Sequence, residues 1–399
     1  LAFLSILVLA EESDARSRTN HYNVAWFRRV GLVADGVGHA EERAWDIQSL
    51  FVSFLSCRPL LTVISAVADV DGENTGGFST DGSNITGFSA LHDSGTGGNP
   101  SLGNFPIFPQ ICPSEDINTC KFPIAARATH YKNDSVVAKP GYFGVTLENG
   151  IKADMTVSKH AALYRFDFSG STQGNGSTDA VISLDLTDLW ASRQNASISV
   201  EAEDGGKSGR MKGNGTFLPS FGAGSYIAYF CLDVTGAAIK DSGVWVNDRA
   251  GTEPKNLYVT RGFNLFYLQA GGFVRFKGPL TGPIAARMGI SFISTAQACK
   301  NAEEEIPGSD FDFDGLVKSA QDAWRKQLAP VTIESGGVDN SLLVSFWSAV
   351  YRTMISPQDY SGENPHWTSE EPYFDSFYCI WVCCTYTPMN TRHILTLHF

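Results

Sequence analysis

The chain has 399 residues, enough for two or three domains, and its 43% hydrophobic content is that of an ordinary globular protein. Its formal charge of −12 repels a phosphate backbone, and no cluster of Lys and Arg interleaved with aromatics offsets it, which argues against nucleic acid as a partner. No run of eighteen or more apolar residues is present, so no helix across a bilayer, and no membrane partner, is expected. Charged residues make up only 18% of the chain while glycine (39) and aromatics (12%) are plentiful, a balance that favours strands joined by turns.

The opening "LAFLSILVLA" has the length of a signal h-region, yet it lacks an initiator methionine and a basic n-region. It reads equally as the tail of a signal peptide or as a hydrophobic scrap. Residues 1–65 show no clean period of 2 or 3.6 and receive no element. From Ala66 the texture changes to short alternating runs punctuated by Gly, Asn, Asp and Pro. "DVDGEN" (Asp69 to Asn74) groups three carboxylates, but its glycine is misplaced for a calcium loop and a solvated turn is the default.

"TGFSALHDSGTGG" (Thr86 to Gly98) sets His92 and Asp93 ahead of glycines and small hydroxyl residues. A phosphate cradle is excluded, because no lysine and no helical pattern follow. Short hydrogen-bonding side chains on a backbone that can approach closely suit a polyhydroxylated ligand; a structural turn with a core histidine is the competing reading.

Cys112 and Cys120 bracket the polar loop "CPSEDINTC", which reads as a local disulfide rather than two reduced buried thiols. The other six cysteines, among eight, lack the paired spacing of a structural zinc site. Five N-glycosylation triplets begin at Asn84, Asn133, Asn175, Asn195 and Asn214. Together these features favour a secretory route.

Tyr142 to Phe168 predicts two or three strands, one turn of them marked by Asn149-Gly150. "SISVEAEDGGKSGRMKGNGTF", "GSYIAYFCLDV" and "GGFVRFKGPLTGPIAARMGISFIS" continue the alternation, giving an antiparallel sandwich. "DGGKS" (Asp204 to Ser208) imitates the end of a phosphate loop, but Glu201 replaces the first glycine and the neighbouring carboxylates repel phosphate, so a hairpin turn is expected.

Near residue 310 the period switches. Phe313, Leu316, Val317, Ala320, Trp324 and Leu328 recur at three and four before Pro330, and Leu342, Leu343, Phe346, Trp347, Val350, Tyr351 and Met354 do the same, with Asp339 or Asn340 as cap. "DFDFDG" (Asp310 to Gly315) begins like a helix–loop–helix calcium site, but Gln321 stands where a bidentate Glu is needed; acidic residues at a helix N-terminus explain the same letters. No GxSxG or HExxH supports a serine esterase or zinc protease.

"AVADVDGENTGGFSTDGSNITGFSALHDSGTGGNPSLGNFPIFPQ", "LYRFDF", "DLTDL", "GTFLPSFGAGSY", "NDRAG", "FWSAVYRTMISPQDYSGENPHW" and "EPYFDSFYCIW" together resemble glycoside hydrolase family 92, the calcium-dependent, inverting, exo-acting α-mannosidases, and most closely its fungal secreted branch. The likeness runs from about Ala66 to Trp381. It implies a mainly β protein: a β-supersandwich over 66–305, a linker helix over 306–330, and over 331–399 the start of an (α/α)6 toroid. Phe88, His92, Ser94 and Thr96 inherit supporting or sugar-contacting roles, and Trp381 matches a tryptophan of the sugar pocket. The substrates implied are mannose-containing N-glycans or mannan.

The chain also departs from the family. Val382 stands where an aspartate gripping the terminal sugar is expected, and "CCTYTPMNTRHILTLHF" resembles nothing in the family; residues 1–65 lack its "FPGA"-like turn. The catalytic acid, the catalytic base and the calcium ligands are expected beyond residue 399, so the chain as given is expected to be a fragment that binds no calcium and turns nothing over. Phe346, Trp347, Tyr351 and Trp381 would then be partly exposed. Two alternatives are a non-catalytic carbohydrate-binding sandwich and a structural secreted glycoprotein.

Overall fold

The computed structural model describes residues 67–70, 78, 82–91, 103–171, 179–189, 191–218, 224–262, 267–355 and 362–365. Among the described residues sixteen strands form two antiparallel sheets. The smaller sheet contains β1 (Val67–Val70), β2 (Ile85–Ser89), β3 (Ile107–Ile111), β8 (Ala180–Asp185), β15 (Ala270–Phe276), β12 (Ile239–Val246) and β13 (Arg249–Gly251), in that spatial order. The larger has the order β14 (Asn256–Thr260), β9 (Asn195–Ala202), β10 (Ser208–Phe217), β11 (Tyr226–Thr235), β16 (Ile284–Ser291), β7 (Ala161–Asp167), β6 (Lys152–Val157), β5 (Tyr142–Thr146) and β4 (Val137–Lys139).

The alternation read in the sequence sets this architecture. Along β9 and β10 every second residue is buried, and the inward set, with Ile198, Met211 and Phe217, joins the core between the sheets. That core is aromatic: Phe105 meets Phe217 and Phe230 at 5.4 and 4.5 Å between ring centroids, and Phe88 meets Phe166 at 5.8 Å. Asn149-Gly150 turns the chain from β5 to β6. Gly150 has φ +90°, and a Cβ there would lie 1.9 Å from the carbonyl oxygen of Gly170, so glycine is required twice over. "DGGKS" is the turn between β9 and β10, as its carboxylates required.

The outer face of the larger sheet is partly covered by helices. After the short helix α1 (Ile124–Arg127), α2 (Thr295–Glu305) follows the last strand, capped by Ser294, whose hydroxyl accepts from the Gln297 N–H at 3.0 Å. The sequence assigned these residues to the sandwich domain and a linker helix to 306–330; the structure ends the sheet at Ser291, forms α2, and continues with α3 (Phe313–Leu328), which lies within 306–330. The helix escaped detection because its buried residues are Ala298, Asn301 and Ala302, too small and polar for a hydrophobic period. They let it lie close: a Cβ on Gly289 of β16 would stand 2.1 Å from the Ala298 carbonyl oxygen.

A disulfide from Cys231 on β11 to Cys299 fastens α2 to the sheet across 68 residues, a closure that stabilises by about 4 kcal/mol on loop-entropy grounds. The expected Cys112–Cys120 disulfide is also formed.

In α3 the Asp312 carboxylate accepts from the Gly315 N–H at 2.9 Å, and Asp314 pairs with Arg165 at 3.1 Å. The "DFDFDG" acids thus act as cap and first-turn charge. Helix α4 (Asn340–Ile355) starts at Asp339, which accepts from the Ser341 N–H at 2.8 Å. Tyr351 corrects an expectation: it is buried, its ring 4.7 Å from that of Trp324, because α3 supplies the apolar partner that α4 lacks alone. Phe346 and Trp347 are half-buried, and Trp381 lies outside the described residues.

Candidate functional site

Three connections and the end of strand β10 meet at one end of the sandwich. The glycine-rich connection leaves β2 at Leu91 and returns at Gly103, whose N–H donates to the Leu91 carbonyl at 2.5 Å. Beside it, Phe105 N–H reaches the Thr187 carbonyl at 2.9 Å, joining this connection to the one between β8 and β9. Gln194 and Arg261 extend the contacts, at 2.7 Å each, to β10 and to the connection after β14.

A buried arginine holds these connections together. Arg193 has no exposed surface; its guanidinium donates to the carbonyls of Leu186 and Thr260 at 3.0 Å each and to that of Leu268, and lies 4.7 Å over the Tyr267 ring. Tyr267 in turn shares a 2.8 Å hydroxyl hydrogen bond with Thr187. Asp188, 2% exposed, accepts from the Ser192 N–H at 2.6 Å and its hydroxyl at 2.8 Å. Asn104, fully buried, donates to the Tyr226 hydroxyl at 3.1 Å. Phe105 (φ 56°) and Ala191 (φ 53°) both hold left-handed backbone here, a conformation that survives only where surrounding structure enforces it. The result is a buried polar base that joins the two ends of the glycine-rich connection, Leu91 and Gly103, to the neighbouring connections.

Burial pushes the Asp188 carboxyl up to about 6, against the opposing pull of the Ser192 hydrogen bonds. The folded chain therefore keeps this proton to higher pH than the unfolded chain, whose ordinary value is 3.8. Its contribution to stability is complete below about pH 4, declines through pH 6 and is lost above, roughly 3 kcal/mol across that window. Replacing Asp188 with Asn removes the titration. Denaturant unfolding at pH 4.5 and 7.5 is expected to show the variant gaining on the parent by about 2 kcal/mol at the higher pH; equal pH slopes would refute the assignment.

The proposed sugar-contacting residues divide sharply. Phe88 is on β2, fully buried, its ring 5.8 Å from that of Phe166. His92, Ser94 and Thr96 lie outside the described residues, as do Trp381 and Asn175. Asn133 is exposed, and Asn84, Asn195 and Asn214 are half-buried. Arg193, Asp188, Asn104 and Tyr267 went unassigned in the sequence; Asn104 and Asp188 fall inside the "NPSLGNFP" and "DLTDL" strings, which was the available signal. Among the described residues no three His, Cys, Asp or Glu side chains converge to hold a metal ion.

At the start of the helical part, Glu363 is 4% exposed and accepts from the Ser291 hydroxyl (2.7 Å), the Phe292 N–H (2.8 Å) and the Asn301 amide (3.2 Å). It anchors the segment after α4 to the end of the last strand.

A double-sheet sandwich with loops built on a buried polar base, followed by helices clamped to its outer face, defines a class of two-part proteins in which helices extend a β scaffold. Sequence models of glycosyl hydrolase family 92 match in order: its N-terminal domain over residues 60–291 and its catalytic domain over 297–387. The chain belongs to glycosyl hydrolase family 92. It is 56% identical over 318 residues to an uncharacterized secreted glycosidase of Arthroderma benhamiae, covering 79% of this chain and 41% of that relative. The chain thus spans less than half the length of this curated relative.

Solved structures share the fold at low identity. A family 92 inverting mannosidase from Bacteroides thetaiotaomicron aligns at TM-score 0.61 and 20% identity, over 88% of this chain and 42% of that one. A family 92 α-mannosidase from the same organism, in complex with mannoimidazole, aligns at 0.64 and 19%, over 84% and 44%.

Proposed function

We propose that this chain forms the sandwich half, with the start of the helical half, of an inverting, calcium-using α-mannosidase that removes terminal mannose from N-glycans or mannan. The observation carrying this is the ordered match of both family domains along one chain. The mannosidase structures sharing the fold support the sugar class. Secretion is supported by the secreted relative and by two disulfides.

Inversion takes two carboxyl groups about 6.5–9.5 Å apart, one protonating the leaving oxygen and one activating water. We assign neither of these carboxyl groups, nor the calcium ligands, to a residue of this chain. Within this chain, His92, Ser94 and Thr96 would hydrogen-bond sugar hydroxyls, Phe88 and the Arg193 base would hold their connection in place, and Trp381 would line the pocket from the helical side.

Titrating α-1,2-mannobiose into the full chain tests the division. Half a site predicts a dissociation constant of about 1 mM or weaker. Micromolar binding would overturn it in favour of a self-sufficient carbohydrate-binding sandwich.

A further inference from the structure

Two glycosylation triplets sit in register on the outward face of the larger sheet. Across the β9–β10 pair Asn195 lies opposite Thr216, and Asn214 opposite Ser197. Each asparagine therefore faces the hydroxyl residue of the other's triplet. The geometry follows from two elementary facts: residues two apart share a face of a strand, and antiparallel pairing reverses their order. The intervening Ala196 and Gly215 are buried, so by the alternation of the strands both triplets face outward.

The surroundings of this square are apolar and open. Beyond Asn214 lies Tyr229, and beyond Thr216 lies Ile227, both on β11. On the other side Tyr258 of β14 pairs with Ser197. Tyr258 is 67% exposed and Ile227 44%, unusual values for large apolar side chains on a sheet. Helix α2 is fastened over Cys231 by its disulfide and leaves both uncovered.

We propose that Asn195 and Asn214 are both N-glycosylated and that their oligosaccharides cover this face, screening Tyr258 and Ile227. The asparagine Nδ2 displaces pyrophosphate from C1 of a lipid-pyrophosphate-linked oligosaccharide. One C–N bond forms, the C1–O bond breaks, the nitrogen releases one proton, and the lipid pyrophosphate leaves with the bonding pair. As diagonal cross-strand neighbours the two asparagines are about 7–8 Å apart, and Tyr229 beside Asn214 offers a ring against which a first sugar can pack.

Timing follows from the same register. In the folded sheet the Thr216 hydroxyl donates to Asn195 Oδ1 at 3.1 Å, and both backbones are committed to the ladder. Transfer must precede the pairing of β9 with β10, while each triplet can still bend into a transferase.

The proposal rests on the secretory route above, and its test separates the two. The full chain is secreted from yeast behind a host signal, and site occupancy is read by peptide mass spectrometry. Asn195→Gln and Asn214→Gln are each expected to lose one glycan mass, and the double variant two. Enzymatic removal of the glycans is expected to raise light scattering several-fold, and Tyr258→Ser with Ile227→Ser to abolish the rise. A secreted chain with both asparagines bare overturns the proposal and leaves secretion standing; so does scattering unchanged by glycan removal, which would mean that another part of the protein covers the face. Translation with microsomes reads occupancy even if export fails. Unglycosylated folded chain given purified transferase and donor should remain bare; its modification would overturn the timing.

Discussion

Arg193→Ala is expected to destabilise the chain by about 3–5 kcal/mol, the range for removing one member of a buried polar cluster. Three carbonyls, those of Leu186, Thr260 and Leu268, lose their donor in a site with no exposed surface. Each buried group left unpaired costs about 1–3 kcal/mol, and the cavity left by a guanidinium stacked on Tyr267 adds to that. Arg193→Lys should recover little, because one ammonium on a flexible stem does not match a planar fork holding three acceptors. Denaturant unfolding of both variants measures this. Hydrogen exchange should locate the loss in the connections around Leu186 and Leu268 before the central strands. A variant within 1 kcal/mol of the parent would show that these connections are held by other means, and the buried polar base would no longer account for them.

How much of this was legible in the letters depends on the range of the interaction. Strands such as β9 and β10 and helices such as α3 announce themselves, since one buried face imposes a period of 2 or 3.6 on residues close in sequence. The Asn149-Gly150 turn and the Asp312 cap are equally local. Helix α2 was not legible because alanines and an asparagine make its contact face. Cys112–Cys120 closes eight residues and could be guessed; Cys231–Cys299 closes 68, and only the fold brings them together.

The candidate site was less legible. In "TGFSALHDSGTGG" Phe88 points into the core, and His92, Ser94 and Thr96 lie outside the described residues. The base is built from Asn104, Asp188, Arg193, Tyr226 and Tyr267, whose partnership is a product of strand order. Family resemblance located the strings containing the first two without assigning them a role, since buried positioning residues carry no motif of their own.

The second large effect is all-or-none. If, as proposed, the sandwich contributes sugar contacts while the acid, the base and the cation site are not among this chain's residues, the chain alone would lack the groups that cleave the glycosidic bond. Removing a complete acid–base pair from a glycosidase leaves no measurable turnover, because general acid and base catalysis each contribute about 10²–10⁴-fold and the cation more. Free mannose released from α-1,2-mannobiose is therefore the decisive quantity, measured for the purified chain and for the full-length Arthroderma relative, each with calcium and with chelator. The relative should release mannose with calcium and stop with chelator, while the chain stays at background in both; calcium-dependent release by the chain alone, or an inert relative, would contradict the account.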